Sequence, residues 1–141
     1  IEKFASTIIS SPIVGETQSG LGAQRRCTFN NDTSLVETIV EYKEGQGYKM
    51  EISEHTLPLK NMFAEMSVKA IDANSSEISM SADFVVKWGP LGWVMGQFMM
   101  RPIMKMVFRN VMSGLAYHCA TGEEIAEELP AKEELTKLII T

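Results

Sequence analysis

The chain has 141 residues, of which 45% are hydrophobic and 22% charged, a composition typical of one globular domain that can bury a core without disulfides. Its formal net charge of −5 argues against a general nucleic-acid-binding surface, so no nucleic-acid partner is expected. The two cysteines lack metal-ligand spacing, which favours a reducing, cytoplasmic location and predicts no metal and no other cofactor.

The first two-thirds of the chain alternates apolar and polar residues with the period of β-strands. Short connectors with turn residues, such as NNDTS and KEGQG, separate the segments. They predict antiparallel neighbours, because parallel strands need crossover helices for which there is no room. Strands are predicted over residues 10–16, 23–29, 35–42, 47–54, 63–71 and 77–88. In the last of these, six apolar residues share one face, which predicts a strand with one buried and one solvated side.

The stretch GLGAQRRCTF, residues 20–29, raises the alternative of a phosphate-binding turn. A dinucleotide fingerprint needs a third glycine and a following helix. Arg25 stands where that glycine would be, and the residues after Gly22 alternate like a strand. The pattern therefore favours a bend that leads into a strand.

Residues 91–112 form the longest apolar stretch and are about long enough to span a membrane. Polar residues interrupt it at intervals of four: Gln97, Arg101, Lys105 and Arg109. This spacing predicts an amphipathic helix whose other sides are buried in protein, and no stable membrane insertion. The helix is expected to end near Thr121, because Gly122 suits a left-handed cap.

Methionine is unusually frequent on this predicted helix. Six of the ten methionines lie there: Met95, Met99, Met100, Met104, Met106 and Met112. Their flexible side chains either fill gaps in a solid core or line a cavity between the helix and an antiparallel sheet wrapped around it. Both interpretations give the same fold class, α+β.

Few polar residues are candidates for chemistry. Arg25 and Glu37 lie on neighbouring predicted strands and form either an interior pair or a surface ion pair. His55 lies in a loop, where it lines a pocket mouth or is simply solvated, and the adjacent His118 and Cys119 do not predict a metal site. No nucleophile elbow, HExxH or Walker motif occurs, so no catalytic residue is assigned.

In this order, the segments GLGAQRRCTF, SLVETIVEYKEGQGYKMEI and SADFVVKWGPLG, with the closing helix through SGLAYH, resemble the polyketide cyclase/dehydrase and lipid-transport family. That family belongs to the START-like, or helix-grip (SRPBCC), superfamily. The resemblance covers residues 1–120. It implies a curved antiparallel sheet that grips the C-terminal helix around an internal apolar cavity. Members of the family begin with an additional strand and a short pair of helices, and only the end of that region is expected in this sequence.

The resemblance also implies which side chains line the cavity. From the strands they are Arg25, Cys27, Phe29, Glu37, Ile39, Tyr48, Met50, Met80, Ala82 and Phe84. From the helix they are Met99, Ile103, Val107 and Val111, and from an entrance loop His55 and Leu57. Among these, Arg25, Glu37 and His55 would orient a ligand.

The expected function is the binding or transport of a small hydrophobic molecule or lipid. One alternative is a cyclase or dehydratase that uses Glu37 or His55 as an acid–base group, and another is a non-catalytic interaction module with a filled core. Residues 1–121 are expected to form the helix-grip domain. Residues 122–141 are expected to form an acidic tail that is partly ordered at most and dispensable, because six glutamates repel one another.

Overall fold

The computed structural model describes residues 1–125 and 129–138. The strands in this part of the chain are β1 (Ile8–Ser10), β2 (Ile13–Val14), β3 (Gln24–Phe29), β4 (Ser34–Lys43), β5 (Gly47–Ser53), β6 (Leu59–Ala70) and β7 (Ser76–Val86). The helices are α1 (Gly89–Met95), a π-helical turn (Gly96–Met100), α2 (Arg101–Thr121) and α3 (Lys132–Leu138). The first three join into one helical segment of 33 residues.

All seven strands form one curved antiparallel sheet. Its order is β1-β3-β4-β5-β6-β7, with β2 beside β1 on the same side of β3. From β3 to β7 each strand pairs with its neighbour along the chain, as the short connectors predict. The longest pairing joins β6 to β7, from Leu59 opposite Val86 to Ala70 opposite Ser76. The predicted α+β class, an antiparallel sheet with a long C-terminal helix, is confirmed.

The alternation predicted for β7 is also present, because its side chains are exposed and half-buried in turn from Glu77 to Val86. Several strand boundaries differ from the prediction, and β6 begins at Leu59, within the connector predicted before residue 63. The single strand predicted over 10–16 is split into β1 and β2 on either side of Pro12, which has no backbone N–H to donate to a ladder. Trp88 lies outside β7 and has a left-handed backbone with φ of 76° just before α1.

Two glycines bring the helical segment close to β7. A Cβ atom at Gly92 would lie 1.9 Å from the Lys87 carbonyl oxygen, and one at Gly96 would lie 3.0 Å from the Val86 Cγ2 atom. A larger residue at the first position would collide with backbone. The glycines therefore set how near the helix lies to the edge of the sheet.

The core lies between one face of the sheet and the helical segment, and consists of two clusters. The first cluster contains Met50, Ile52, Leu59, Met62, Ala64 and Met100. The second cluster contains Ala5, Ile8, Cys27 and Val111. The sheet contributes most of the buried surface, and the helix adds one buried side chain to each cluster.

The start of the predicted tail packs against the domain, and whether the tail is dispensable stays a prediction. Ile125 is buried, and its N–H donates to the Lys3 carbonyl oxygen at 2.8 Å. The Tyr117 hydroxyl donates to the Glu123 carboxylate at 2.6 Å, and α3 packs against α2. This docking could not be predicted from the acidic composition of the segment, because a single isoleucine, Ile125, supplies the buried apolar contact. The rest of the tail prediction falls partly on residues 126–128 and 139–141, outside the described residues.

Candidate functional site

An ion pair lies on the face of the sheet that meets the helix. Arg25 in β3 stands opposite Glu37 in β4, and its Nε–H donates to a Glu37 carboxylate oxygen. Glu37 is only 8% exposed, and no other charged residue is buried among those whose burial is described. This confirms the predicted pairing and decides between its two interpretations, since the pair is interior.

The electrostatics of this pair favour the charged form of Arg25. Burial alone lowers the pKa of Arg25, but the Glu37 carboxylate and its hydrogen bond raise the pKa above its ordinary value. Nearby, burial raises the pKa of the Tyr48 phenol, and the charge of Arg25 opposes that rise only in part. At neutral pH the cluster therefore holds the Arg25 cation beside a protonated Tyr48 phenol.

Cys27 lies on the same strand face and is fully buried. Burial, reinforced by the negative charge of Glu37, raises the pKa of its thiol from 9.0 to about 12. The thiolate is the nucleophilic form of cysteine, so Cys27 is unreactive at neutral pH. A raised pKa contributes stability below pH 9.0 that is lost as the pH rises towards 12.

We therefore expect iodoacetamide to alkylate the folded protein once, at the exposed Cys119, and the unfolded protein twice. Intact-mass spectrometry near neutral pH, with and without denaturant, measures both states. A Cys119→Ser variant is the control and should stay unmodified while folded. Rapid alkylation of Cys27 in that folded variant would show that the strand face around it is open to solvent.

A cleft of about 460 Å³ opens between β7 and the helical segment. Its apolar wall includes Ala82, Phe84 and Val86 from β7 and Trp93 from α1. Its polar lining comes from Lys60, Asp83, Gln97 and Arg101. Since β7 is an edge strand, the cleft lies at an open side of the sheet. It combines apolar walls with two cations, one carboxylate and one amide.

The strand residues predicted to line a cavity are divided among three places. Ala82 and Phe84 line the cleft and also pack against the first cluster. Tyr48, Met50 and Met80 pack in or against the first cluster, and Ile39 stands opposite Met50. Cys27 and Phe29 belong to the second cluster or pack against it. Most of the predicted set is therefore core packing, and the cleft residues Lys60, Trp93, Gln97 and Arg101 were missed.

The loop residues His55 and Leu57 lie between β5 and β6, as predicted. Leu57 packs against the first cluster. The Nδ1 atom of His55 is buried and has no hydrogen-bond partner among the residues that the structure describes. Neither side chain lines the cleft.

The helix residues predicted for the cavity need correction. Met99 and Ile103 are 48% and 43% exposed, whereas Met100 is buried and Met104 packs against the first cluster. The residues of the helical segment that face the sheet follow one another at intervals of four: Gly92, Gly96, Met100 and Met104. The glycines are the signal that would have found this register. Val107 and Val111 do face the core, in or against the second cluster.

Groups that could ligate a metal ion are scattered. Within residues 1–125 and 129–138, no three His, Cys, Asp or Glu side chains come together as a metal site would require. The chemistry available at the cleft is therefore that of its apolar walls and its few charged groups.

Comparison with solved structures identifies the architecture. A protein from Nitrosospira multiformis is 17% identical, with a TM-score of 0.58 over 84% of this chain and 82% of that chain. Ara h 8.0201 is 23% identical, with a TM-score of 0.55 over 77% and 74% of the two chains. The chain has the helix-grip fold. Norcoclaurine synthase from Thalictrum flavum, a point mutant in complex with a transition-state analogue, has a TM-score of 0.52 at 15% identity over 78% and 74%.

Ara h 8.0201 and norcoclaurine synthase are Bet v1-like proteins of the helix-grip superfamily. No family model matches the sequence, and no curated protein matches it significantly. The comparisons therefore show the helix-grip fold, and the narrower polyketide cyclase/dehydrase and lipid-transport family stays a prediction. Because this fold carries many activities, the site itself must indicate the function.

Proposed function

We propose that this helix-grip domain binds a small hydrophobic molecule or lipid in the cleft between β7 and the helical segment. The observation that carries the proposal is the cleft itself. Its volume of about 460 Å³ lies in the range of small-molecule sites, and its lining of apolar walls with a few polar groups is typical of them. Bet v1-like neighbours of the same fold support ligand binding between sheet and helix.

The lining indicates the kind of ligand. An apolar body would pack on Phe84, Val86 and Trp93, while Lys60 and Arg101 would attract a polar or anionic group at one end. The Arg25–Glu37 pair does not line the cleft, so in this proposal it stabilises the sheet and does not orient the ligand. The same pairing weakens the enzyme alternative, because a carboxylate held by an arginine is a poor general base. A cytoplasmic location also belongs to the proposal, since both cysteines are free.

Two alanines on adjacent strands provide a matched test. Ala82 lines the cleft at the margin of the first cluster and is half-buried, whereas its cross-strand partner Ala64 is fully buried within that cluster. In Ala82→Leu, we expect the added bulk to occupy the cleft and weaken binding of anilinonaphthalene sulfonate, an apolar anionic dye, by roughly tenfold or more. In Ala64→Leu, the same bulk overpacks the core and lowers the free energy of unfolding by about 1–3 kcal/mol.

Dye titration and thermal melting of both variants separate the two effects. The proposal expects Ala82→Leu to melt within a few degrees of the parent and Ala64→Leu to keep dye binding at temperatures where it is folded. A parent protein that binds no dye, or an Ala82→Leu variant that binds it unchanged, rules out the cleft as the site.

A further inference from the structure

The side of the helical segment that points away from the sheet is apolar and exposed. Leu91 and Phe98 are 81% and 78% exposed, and four more large apolar side chains are at least two-fifths exposed. We call the set the outer face: Leu91, Val94, Phe98, Met99, Ile103 and Met106. The predicted burial of this side in protein is wrong for these residues. A contiguous apolar surface of this kind usually marks an interaction site.

The outer face is continuous along the helix. Val94 and Phe98 are four residues apart, as are Met99 and Ile103, and this spacing stacks side chains in rows on a helix surface. The inward row contains Met100 and Met104. Both rows of the outer face therefore lie beyond the reach of the core, and nothing in the described structure covers them.

A row of cations runs beside the outer face. Arg101, Lys105 and Arg109 are exposed at four-residue intervals, and Lys87 precedes α1. Residues 84–122 contain no aspartate or glutamate, although the chain as a whole carries −5. Along the helical segment itself, the charges beside the apolar surface are therefore all positive, the sign opposite to that of the whole protein.

We propose that the outer face docks reversibly on the surface of an anionic lipid bilayer. An apolar helix face flanked by Lys and Arg is the pattern of helices that lie in the plane of the headgroups. The exposed Trp88 and Trp93 add amphipathic rings of the kind enriched at that depth. No helix in the described part of the chain is both long and apolar enough to cross a membrane.

Charge favours a lipid surface over a second copy of this chain. In a twofold dimer the same patch meets itself, which would bring Arg101, Lys105 and Arg109 towards their own copies. Like charges in such a contact are unfavourable, whereas anionic headgroups neutralise them. The inference shares Trp93 and Arg101 with the lining of the cleft, but Leu91, Phe98 and Lys105 lie outside it, so variants at these three positions test the outer face separately from the proposed function.

Intrinsic fluorescence provides a first test, because Trp88 adjoins the outer face, and flotation provides a second, because Trp93 also lies in the wall of the cleft. We expect vesicles of phosphatidylcholine with phosphatidylserine to shift the emission to the blue and to carry the protein upwards in a flotation gradient. Vesicles of phosphatidylcholine alone should bind it far more weakly. Raising the salt concentration should also weaken binding, because the cations then lose most of their contribution.

Matched variants assign the effect to the outer face. Leu91→Gln with Phe98→Gln should abolish flotation, whereas Leu21→Gln with Ile71→Gln, at 66% and 65% exposure elsewhere, should leave it unchanged. Lys105→Gln and Arg109→Gln should each weaken vesicle binding roughly fivefold. Lys43→Gln and Lys69→Gln, exposed on strands of the sheet, are the charge controls.

Each result decides the matter. Vesicle binding that requires phosphatidylserine and is lost in Leu91→Gln with Phe98→Gln supports the proposal, whether or not the dye binds in the cleft. If the folded parent protein does not float with phosphatidylserine vesicles at low salt, the proposal is overturned. A dimer in light scattering that disappears in Leu91→Gln with Phe98→Gln while the parent ignores vesicles also overturns it, because the face is then an interface between copies.

Discussion

Replacing Arg25 by methionine is expected to lower the free energy of unfolding by about 3 kcal/mol, because it leaves the Glu37 carboxylate buried without a partner. Glu37→Gln should cost less, about 1–2 kcal/mol, since the Arg25 side chain is still 26% exposed and can reach water. The double variant Arg25→Met with Glu37→Leu should return close to the stability of the parent, because neither charge then remains in the core.

Urea unfolding of the parent, the two single variants and the double variant completes this cycle. Arg26→Met is the matched control. Arg26 is the next residue along β3 and pairs with Glu54 on the exposed side at 2.6 Å, where an ion pair contributes at most about 1 kcal/mol. Equal losses in Arg25→Met and Arg26→Met would mean that the interior pair is as solvated as the surface pair.

Gly114→Ala is expected to lower the melting temperature by roughly 10 °C. The position is helical, so alanine alone would favour α2 by about 1 kcal/mol. Its Cβ atom, however, would lie 1.9 Å from the Phe4 carbonyl oxygen and 3.0 Å from the Ile125 Cδ1 atom. The backbone of the N-terminal segment must therefore move away from α2, and the buried contact of Ile125 is lost with it.

Thermal melting compares this variant with Gly96→Ala, whose Cβ atom would meet only side-chain atoms, at 3.0 Å from Val86. That contact can relax, so we expect a clearly smaller loss. Ile125→Ala should lower the free energy of unfolding by about 2 kcal/mol, because it removes the Ile125 side chain from the same contact. If Gly114→Ala melts at or above the parent temperature, the N-terminal segment is not held against α2.

The sheet was predictable because strand patterning is local. The two-residue period of β7 and the turn residues between β4 and β5 determine which side chains share a face, whatever the rest of the chain does. Arg25 and Glu37 were assigned to neighbouring strands for the same reason. Whether that pair faced solvent or the core could not be predicted, since it depends on which face the helix covers.

The cleft and the orientation of the helix were harder to predict. Both depend on how closely two layers pack, which is set here by Gly92 and Gly96 and not by the apolar pattern that surrounds them. An apolar residue occurs at almost every position from 98 to 108, so Met99 and Met100 are equally plausible inward residues in the sequence. Docking of Ile125 depends in turn on a gap left by Gly114, more than ten residues earlier.

The hydrogen bond from Ile125 to Lys3 has a consequence for chain entropy. The hairpin between β4 and β5 closes a loop of a few residues, whereas this bond joins points about 120 residues apart. Loop-closure entropy grows with the logarithm of length, so joining the two distant segments costs roughly 3 kcal/mol more than a tight hairpin does. Hairpins of the sheet close short loops, so pairing of β3 to β7 leaves the residues between Lys3 and Ile125 ordered and lowers this cost before the junction of Phe4, Gly114 and Ile125 forms.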